Sequence, residues 1–212
     1  METNNEKIGL DTNILILLAV CPKRINEFKS ILSKSKAYYS DISINEFMGV
    51  LINNYFFDKE ETRSKLKNIV SELNLIKTGP PSLKNETRVC LANIDLIKLN
   101  SENEIYKDND KTGKNDAKII ASFIDNGIMH VFTEDKAFAK TCEYLDIKSD
   151  RVPSKWLNEM EEIRKINLKI FGKKRKLKTQ KPEEDIITEI LRNSPERREF
   201  QDLSKRKDLE DE

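Results

Sequence analysis

Three amino acids that often form functional sites are scarce in this 212-residue chain: it contains one histidine, one tryptophan and three cysteines. The cysteines, Cys21, Cys90 and Cys142, are far apart and form no CxxC pair. This pattern argues against a zinc ribbon and against a disulfide scaffold. Reduced thiols in the cytoplasm are the expectation that remains.

A long apolar run and a strong net charge are also lacking. The longest apolar run, Ile14–Cys21, is well short of the ~20 residues that a membrane-spanning helix needs. The N-terminal METNNEK is polar and acidic, unlike a secretory signal. With 38 basic and 37 acidic side chains, the whole chain has no general attraction to nucleic acid. We expect a cytoplasmic protein without a membrane partner, in which RNA binding would depend on local clusters of charge.

The sequence does contain an alternation of strand-like and helical segments. Apolar or aromatic stretches typical of strands occur at residues 7–10, 37–42, 75–77 and 128–132, and Ile147 begins a further edge strand. Segments with apolar residues at helical spacing separate them. This order predicts an α/β fold in which a central parallel sheet is covered by helices on both faces, a three-layer α/β/α arrangement.

The composition changes towards the C-terminus, which predicts three parts. Residues 1–152 form the α/β core, residues 153–171 an amphipathic helix appended to it, and residues 172–212 a highly charged and largely disordered tail. An exposed apolar face on the appended helix would mark a contact in a homodimer.

Four acidic residues lie at comparable places in the predicted fold. Asp11 ends the first strand in IGLDTN, Glu46 lies in SINE after the second strand, Asp116 opens NDAKIIASF, and Asp135 follows a strand in TEDKAF. Because the carboxyl ends of parallel strands share one edge of a sheet, the fold can gather all four. Carboxylates at close quarters repel one another, and a hard divalent cation with oxygen ligands removes that repulsion. The pattern therefore favours a Mg²⁺ or Mn²⁺ site.

Helix capping is the alternative for each acid taken singly. Ser43 and Glu46 have the spacing of a capping box, and Asn115 can cap the helix that Asp116 begins. Thr133 can cap the helix that holds Asp135, and Thr12 or Asn13 the helix after Asp11. Capping does not require the four acids to converge, whereas a metal site does.

The other motifs of the sequence limit the reactions that such a site could catalyse. No Walker P-loop and no GxGxxG follows a strand, so nucleotide-dependent phosphoryl transfer and dinucleotide redox chemistry lose support. The single histidine, His130, lies within a predicted strand and fits a core or sheet residue better than a metal ligand. Metal-assisted hydrolysis of a phosphodiester is the simplest reading.

The segments LDTN, SINEF, NDAKIIAS and FTEDKAF, in this order, resemble the PIN-domain nucleases, a family that includes VapC-type toxins. The resemblance covers about residues 7–150 and implies a PIN-like fold and metal-dependent endoribonuclease activity. It implies that Asp11, Glu46, Asp116 and Asp135 bind the metal. Asn13 and Thr133 resemble the polar residues that support these acids. Glu134 adds a carboxylate next to Asp135, and the family position falls on Asp135.

The chain also departs from toxin-type members of this family. Most short toxin-type members end near the last core helix, whereas this chain continues for about 60 residues. The chain also lacks the zinc-binding cysteines that PIN nucleases of ribosomal RNA maturation often carry. A toxin role would imply an antitoxin or another protein partner, whereas an RNA-processing role would not.

The charged tail leaves two readings open. Its most basic segment, GKKRKLKTQK, can act as an arm that contacts RNA phosphates or be a solvated segment. The candidate contacts are Lys173, Lys174, Arg175, Lys176 and Lys178. The competing function for the whole chain is a catalytically weak RNA-binding or scaffold protein of PIN fold that acts through this tail.

Overall fold

The computed structural model describes residues 6–101 and 113–179, apart from the side chains of residues 100–101 and 173–179. Strands and helices alternate along these segments. The strands are β1 (Lys7–Leu10), β2 (Lys36–Ser40), β3 (Ile76–Thr78), β4 (His130–Phe132) and β5 (Lys148–Asp150). The helices are α1 (Thr12–Val20), α2 (Arg24–Leu32), α3 (Ile42–Asn54), α4 (Lys59–Glu72), α5 (Leu83–Ser101), α6 (Lys114–Asp125), α7 (Lys136–Tyr144) and α8 (Ser154–Thr179).

The five strands form one sheet in the order β3-β2-β1-β4-β5, and every neighbouring pair is parallel. The central strand is β1, whose Leu10 lies opposite Tyr39 of β2 and Phe132 of β4. The chain runs outward from β1 to β3 and then returns to place β4 on the other side of β1. This reversal puts a topological switch point between β1 and β4. The predicted α/β fold with a central parallel sheet is confirmed.

Side chains of the strands alternate between two buried clusters, one on each face of the sheet. Leu10 and Phe132 belong to a cluster that contains Phe28 and Phe47. Val131, the neighbour of Phe132, belongs to the opposite cluster with residues of α5, α6 and α7, among them Val89, Ile120, Phe123 and Phe138. Helices therefore cover both faces, and the predicted three layers are confirmed.

One glycine of β1 sets how closely α6 approaches the sheet. A Cβ atom added at Gly9 would lie 2.8 Å from the ring of Phe123, closer than real Cβ contacts. Because Gly9 has no side chain, the ring of Phe123 packs directly on the strand. The first turn of α6 carries Asp116, so this close packing holds that residue near the end of β1.

The predicted helix at residues 153–171 corresponds to α8, which begins at Ser154 and continues beyond residue 171 to Thr179. Trp156 of α8 is buried, and its ring packs edge-on against Phe28 at a centroid distance of 6.3 Å. Leu157, Met160 and Ile163 pack against the same cluster. The first part of the predicted apolar face is thus covered by the core, whereas Ile166 and Ile170 further along α8 are 52% and 53% exposed.

The chain divides into two compact units within α8, after Asn167. In the second unit, α8 continues as a helix through Thr179, into the segment predicted to lack structure. Residues 180–212 of the predicted tail lie outside the described residues. The predicted domain limits at residues 152 and 171 follow sequence character and stay predictions.

Two findings bear on the class of protein. Among the described residues, no helix is both long enough and apolar enough to cross a membrane. Cys21, Cys90 and Cys142 are free thiols, as the spacing of the cysteines predicts.

Candidate functional site

Asp11 lies at the carboxyl end of the central strand, where its backbone N–H donates to the carbonyl of Phe132 at 3.1 Å. This bond extends the pairing of β1 with β4 by one residue. The side chain is 3% exposed and accepts from the backbone N–H of Thr12 at 2.6 Å. Asp11 is therefore itself the N-cap of α1, and the prediction that Thr12 or Asn13 caps this helix is wrong. The extended backbone of Asp11 is the reason, since it lets the acid reach the first free amide of the helix.

Asn13 and Thr133 hold the second oxygen of this carboxylate. The amide of Asn13 and the hydroxyl of Thr133 donate to Asp11 Oδ2 at 2.6 and 2.7 Å. Asn13 Oδ1 in turn accepts from the backbone N–H of Glu134 at 3.1 Å. Asn13 thereby links the start of α1 to the loop after β4, across more than a hundred residues of sequence.

Asp135 and Asp116 each use one carboxylate oxygen to cap a helix. Asp135 Oδ1 accepts from the backbone N–H of Phe138 at 2.8 Å, so Asp135, and not Thr133 as predicted, is the N-cap of α7. Asp116 Oδ2 accepts from the backbone N–H of Gly113 at 3.0 Å. Because α6 begins at Lys114, Gly113 occupies the cap position predicted for Asn115.

Glu46 differs from the other three acids because it has no capping role. The predicted capping box at Ser43 is wrong: α3 begins at Ile42, and Ser43 lies inside its first turn. The Ser43 hydroxyl is buried and has no hydrogen-bond partner among the described residues, while Ser40 Oγ accepts from the N–H of Ile42 at 3.3 Å. Glu46 is exposed one turn further along. Capping therefore does not explain an acid at this position.

The four acids are close enough to influence one another's ionisation. Burial raises the pKa of Asp11 to about 7, against the hydrogen bonds from Thr133 and Thr12, and the charges of Asp116 and Glu46 raise it further. Burial also raises the pKa of Asp116, against its bond to Gly113, and Glu46 and Asp135 add to the increase. Like charges that raise a pKa must lie near the group that they act on. The charges of Glu46, Asp116 and Asp135 therefore act on their neighbours in this part of the molecule, and the assignment of the four acids to one metal site stays a prediction.

The donor set suits a hard cation that keeps part of its water shell. Among the described residues, no three acidic, cysteine or histidine side chains form a group that would hold a metal ion by themselves. Mg²⁺ commonly binds through one or two carboxylates and retains several waters. In the described hydrogen bonds, Asp116 and Asp135 each accept through one carboxylate oxygen. The other oxygen of each is available as a metal ligand. The sulfur nearest in effect is the Cys142 thiol, whose pKa burial and the charge of Asp11 raise, so that it stays protonated. Oxygen ligands suit Mg²⁺ or Mn²⁺ better than zinc.

Two neighbouring residues take structural roles. Glu134 Oε1 accepts from the backbone N–H of Val152 at 2.7 Å, which ties the loop after β4 to the segment before α8. His130 is buried, and its ring nitrogens lie 2.8 Å from carboxylate oxygens of Glu6 and Asp150. His130 is a sheet residue, as predicted.

Two glycines that support the site, Gly9 and Gly113, were not predicted from the sequence. A Cβ atom at Gly113 would lie 2.9 Å from Asp116 Oδ2, and one at Gly9 would strike Phe123. The signal for Gly113 was its place just before a helix start, where glycine is a favoured cap. Nothing in the local sequence marks Gly9, because its partner is distant along the chain.

The basic residues predicted to contact RNA belong to α8. Lys173, Lys174, Arg175, Lys176 and Lys178 fall within its last two turns, and their side chains lie outside the described residues. Their role stays a prediction.

Comparisons with known proteins found similarity only among solved structures. VapBC2 from Rickettsia felis bound to a DNA fragment from their promoter is 19% identical, with a TM-score of 0.45, over 69% of this chain and 99% of that chain. VapBC-1 from nontypeable Haemophilus influenzae is 21% identical, with a TM-score of 0.43, over 71% and 98%. No family model and no curated protein matches the chain. At these identities the activity must be argued from the site itself.

Proposed function

We propose that this chain is a metal-dependent endoribonuclease of PIN type, which hydrolyses RNA phosphodiester bonds with Asp11, Glu46, Asp116 and Asp135. The observation that carries the proposal is the electrostatic coupling of these acids at the carboxyl edge of the sheet, around a buried Asp11 whose pKa is raised to about 7. Acids that only cap helices have no reason to lie close together. Acids that hold one cation must do so.

The residues of the site divide into those that hold the cation and those that orient them. Asp11, Asp116 and Asp135 have their carboxylates fixed by hydrogen bonds, and Glu46 adds a fourth acid without a capping role. A bound Mg²⁺ or Mn²⁺ supplies the chemistry, because it acidifies a water molecule and offsets the charge of the phosphate. Asn13 and Thr133 orient Asp11, and the N–H of Gly113 orients Asp116.

The raised pKa of Asp11 gives the activity a pH dependence. A protonated carboxyl does not ligate a cation, and at its pKa of about 7 half of the Asp11 side chains carry a proton. Cleavage at limiting metal concentration should therefore rise with pH between about 6 and 8. Saturating metal should shift this rise to lower pH, because the cation favours the ionised form.

The decisive test compares two acids on the same helix. Asp116→Asn removes a proposed metal-binding acid at the start of α6, and Asp125→Asn makes the same change at its end. We expect Asp116→Asn to reduce Mn²⁺-dependent cleavage of a mixed single-stranded and structured RNA by at least about 100-fold. Asp125→Asn should cleave like the wild type. Full activity of folded Asp116→Asn would refute the assignment.

A catalytically weak RNA-binding protein is the second candidate. The observation in its favour is that, within the described part of the chain, no three acids stand in one ready-made metal group. Calorimetric titration with Mn²⁺ separates the two functions. A nuclease binds Mn²⁺ in the millimolar range or tighter through Asp11, whereas a scaffold that acts through its tail gives no such heat.

The biological role is tested separately from the chemistry. A toxin arrests growth on expression and is silenced by a protein partner, whereas an RNA-processing enzyme does neither. Expression of the wild type beside Asp116→Asn distinguishes the two, because only arrest that depends on this acid counts as toxicity of the nuclease.

A further inference from the structure

A groove of about 520 Å³ lies between α3 and α4, and the two helices contribute different kinds of side chain to it. Those from α3 are mainly apolar and recur at every fourth position: Ile44, Met48 and Ile52. Those from α4 are mainly basic and recur at the same interval: Lys59, Arg63 and Lys67. Residues four apart form a ridge along one side of a helix. The groove therefore has an apolar ridge on α3 and a basic ridge on α4 as its walls.

The three cations of the basic ridge are available to a ligand. All three are exposed, and none forms an ion pair with a described residue, whereas Lys65 Nζ on another line of α4 lies 3.6 Å from Glu61 Oε1. None of the described residues that line the groove is acidic. Like charges four residues apart on a helix repel one another, and an anion with several charges would remove this repulsion.

The groove extends to the part of α3 that carries a proposed metal-binding acid. Asn45 lines the groove and directly precedes Glu46. Further along α3, a Cβ atom added at Gly49 would meet nothing within 4 Å, so the groove is open above this residue. A long anionic ligand on the basic ridge would thus reach the neighbourhood of Glu46.

We infer that this groove binds single-stranded RNA, with phosphates on the basic ridge and unpaired bases against the apolar ridge. The inference rests on the proposed nuclease function, which supplies RNA as the ligand. A single strand offers both kinds of surface, because its unstacked bases expose their flat faces. In a duplex, pairing and stacking cover the bases, and the apolar ridge would gain no partner.

An acidic amphipathic protein helix also combines charge with apolar side chains. RNA fits better because the groove leads to Glu46, where the substrate of the proposed reaction must lie. A groove that serves such a protein helix instead would leave the affinity for RNA independent of the basic ridge.

RNA binding without metal tests the groove separately from cleavage. In EDTA, fluorescence anisotropy of the full chain should show tighter binding of a single-stranded RNA of about 12 nucleotides than of a duplex of the same length. Arg63→Glu places an acid in the middle of the basic ridge and should weaken binding of the single strand by about tenfold or more. Arg63→Lys keeps the charge and should stay within about threefold of the wild type.

The salt dependence counts the phosphate contacts. Each contact with a single strand contributes about 0.7 to the slope of log affinity against log salt concentration. The triple variant Lys59→Gln/Arg63→Gln/Lys67→Gln should therefore reduce this slope by about 2. A variant with the slope of the wild type would show that these three cations do not contact phosphates.

A matched control uses a cation on another helix. Lys29 is exposed on α2 and does not line the groove, so Lys29→Glu should leave the affinity within about twofold of the wild type. Thermal unfolding of each variant checks that the fold is intact. A wild type that does not bind the single strand, a preference for the duplex, or an equal loss in Lys29→Glu and Arg63→Glu would each overturn the inference. Because metal is absent, an inactive acid site would not change these affinities, and a chain that binds through the groove but cleaves nothing would refute only the proposed activity.

Discussion

Two aspartates, Asp11 and Asp125, accept the same kinds of hydrogen bond, and yet their pKa values are shifted in opposite directions. Each takes one bond from a backbone N–H, one from a hydroxyl and one from an asparagine amide. For Asp11 the donors are Thr12, Thr133 and Asn13; for Asp125, at the end of α6, they are Ser82, through both its N–H and its hydroxyl, and Asn85. The donor–acceptor distances are 2.6–2.7 Å at Asp11 and 2.5–2.8 Å at Asp125.

Their surroundings explain the difference. Burial raises the pKa of Asp11 to about 7, and neighbouring acids add to the effect. Slight burial opposes ionisation of Asp125 as well, but the bonds from Ser82 and Asn85 outweigh it and lower its pKa. Asp125 is exposed and has solvent to stabilise its charge.

The comparison shows that two carboxylates with the same kinds of hydrogen bond can have very different pKa values. Hydrogen bonds orient both side chains, so capping geometry alone does not distinguish them. Burial beside other acids distinguishes them, because it makes the ionised form of Asp11 unfavourable, and a bound cation would relieve this. Asp125 ties the start of α5 to the end of α6, whereas Asp11 is held where ionisation is costly.

The largest expected contrast is in metal binding. Asp11→Asn should weaken Mn²⁺ binding by at least about 100-fold, because even residues outside the ligand set typically contribute 10- to 100-fold. Asp125→Asn should bind Mn²⁺ as the wild type does. Isothermal titration calorimetry measures both. Equal affinities in the two variants would show that burial of Asp11 has nothing to do with a cation.

The pH dependence of stability should separate the same two residues. Asp11 has a folded-state pKa above its ordinary value of 3.8, so the folded chain retains a proton that the unfolded chain loses. Its stabilising effect is complete below about pH 4 and disappears as the pH rises through about 7. Without metal, the free energy of unfolding should fall by about 3 kcal/mol from this residue between pH 5 and pH 8.

Urea unfolding of the wild type and Asp11→Asn at these two pH values measures that contribution. The variant should lack this part of the decline, while Asp125→Asn should keep it. A parallel decline in all three proteins would mean that Asp11 is not the residue responsible.

Moving α6 away from β1 should have a smaller effect. Gly9→Ala places a Cβ 2.8 Å from the ring of Phe123 and should cost about 1–3 kcal/mol of stability. Adding Phe123→Leu should recover part of that cost, since it removes the clash. Gly49→Ala is the matched control. Its Cβ would meet nothing within 4 Å inside α3, so it should stabilise the chain by about 0.5–1 kcal/mol.

Removing the exposed carboxylate of Asp125 should have the smallest effect. Asp125→Ala takes away the acceptor for Ser82 and Asn85 and should cost about 1 kcal/mol at pH 7. Because the pKa of Asp125 is lowered, this contribution is present above about pH 4 and is lost as the pH falls below that value. Thermal unfolding at pH 7 and pH 3 checks both statements: the gap between variant and wild type should narrow in acid.

The sheet was predictable because periodicity and strand ends are local properties. The segment Lys7–Leu10 was predicted as a strand and is β1, and residues 128–132 contain β4. Since parallel strands end at one edge, the order of the strands places Asp11 after β1 and Asp135 after the neighbouring β4. Asp116 lies in the first turn of a helix that follows another helix, α5, so its position depends on packing as well.

The helix starts were not predictable, since packing moves them by a few residues. Ser43 has the sequence of a cap, yet its side chain is buried inside α3. The structural role of Glu134 was not predictable either. Its Oε1 accepts from the N–H of Val152, which lies 18 residues further along the chain.

The position of β4 beside β1 also determines when the site can form. Asp11 leaves the ribosome early, but the Thr133 hydroxyl that orients it lies 122 residues later. Before β4 and the loop after it have been made, the chain has Asp11, Glu46 and Asp116 and lacks both Asp135 and the hydroxyl. A nascent chain is thus without its complete acid site until β4 takes its place beside β1.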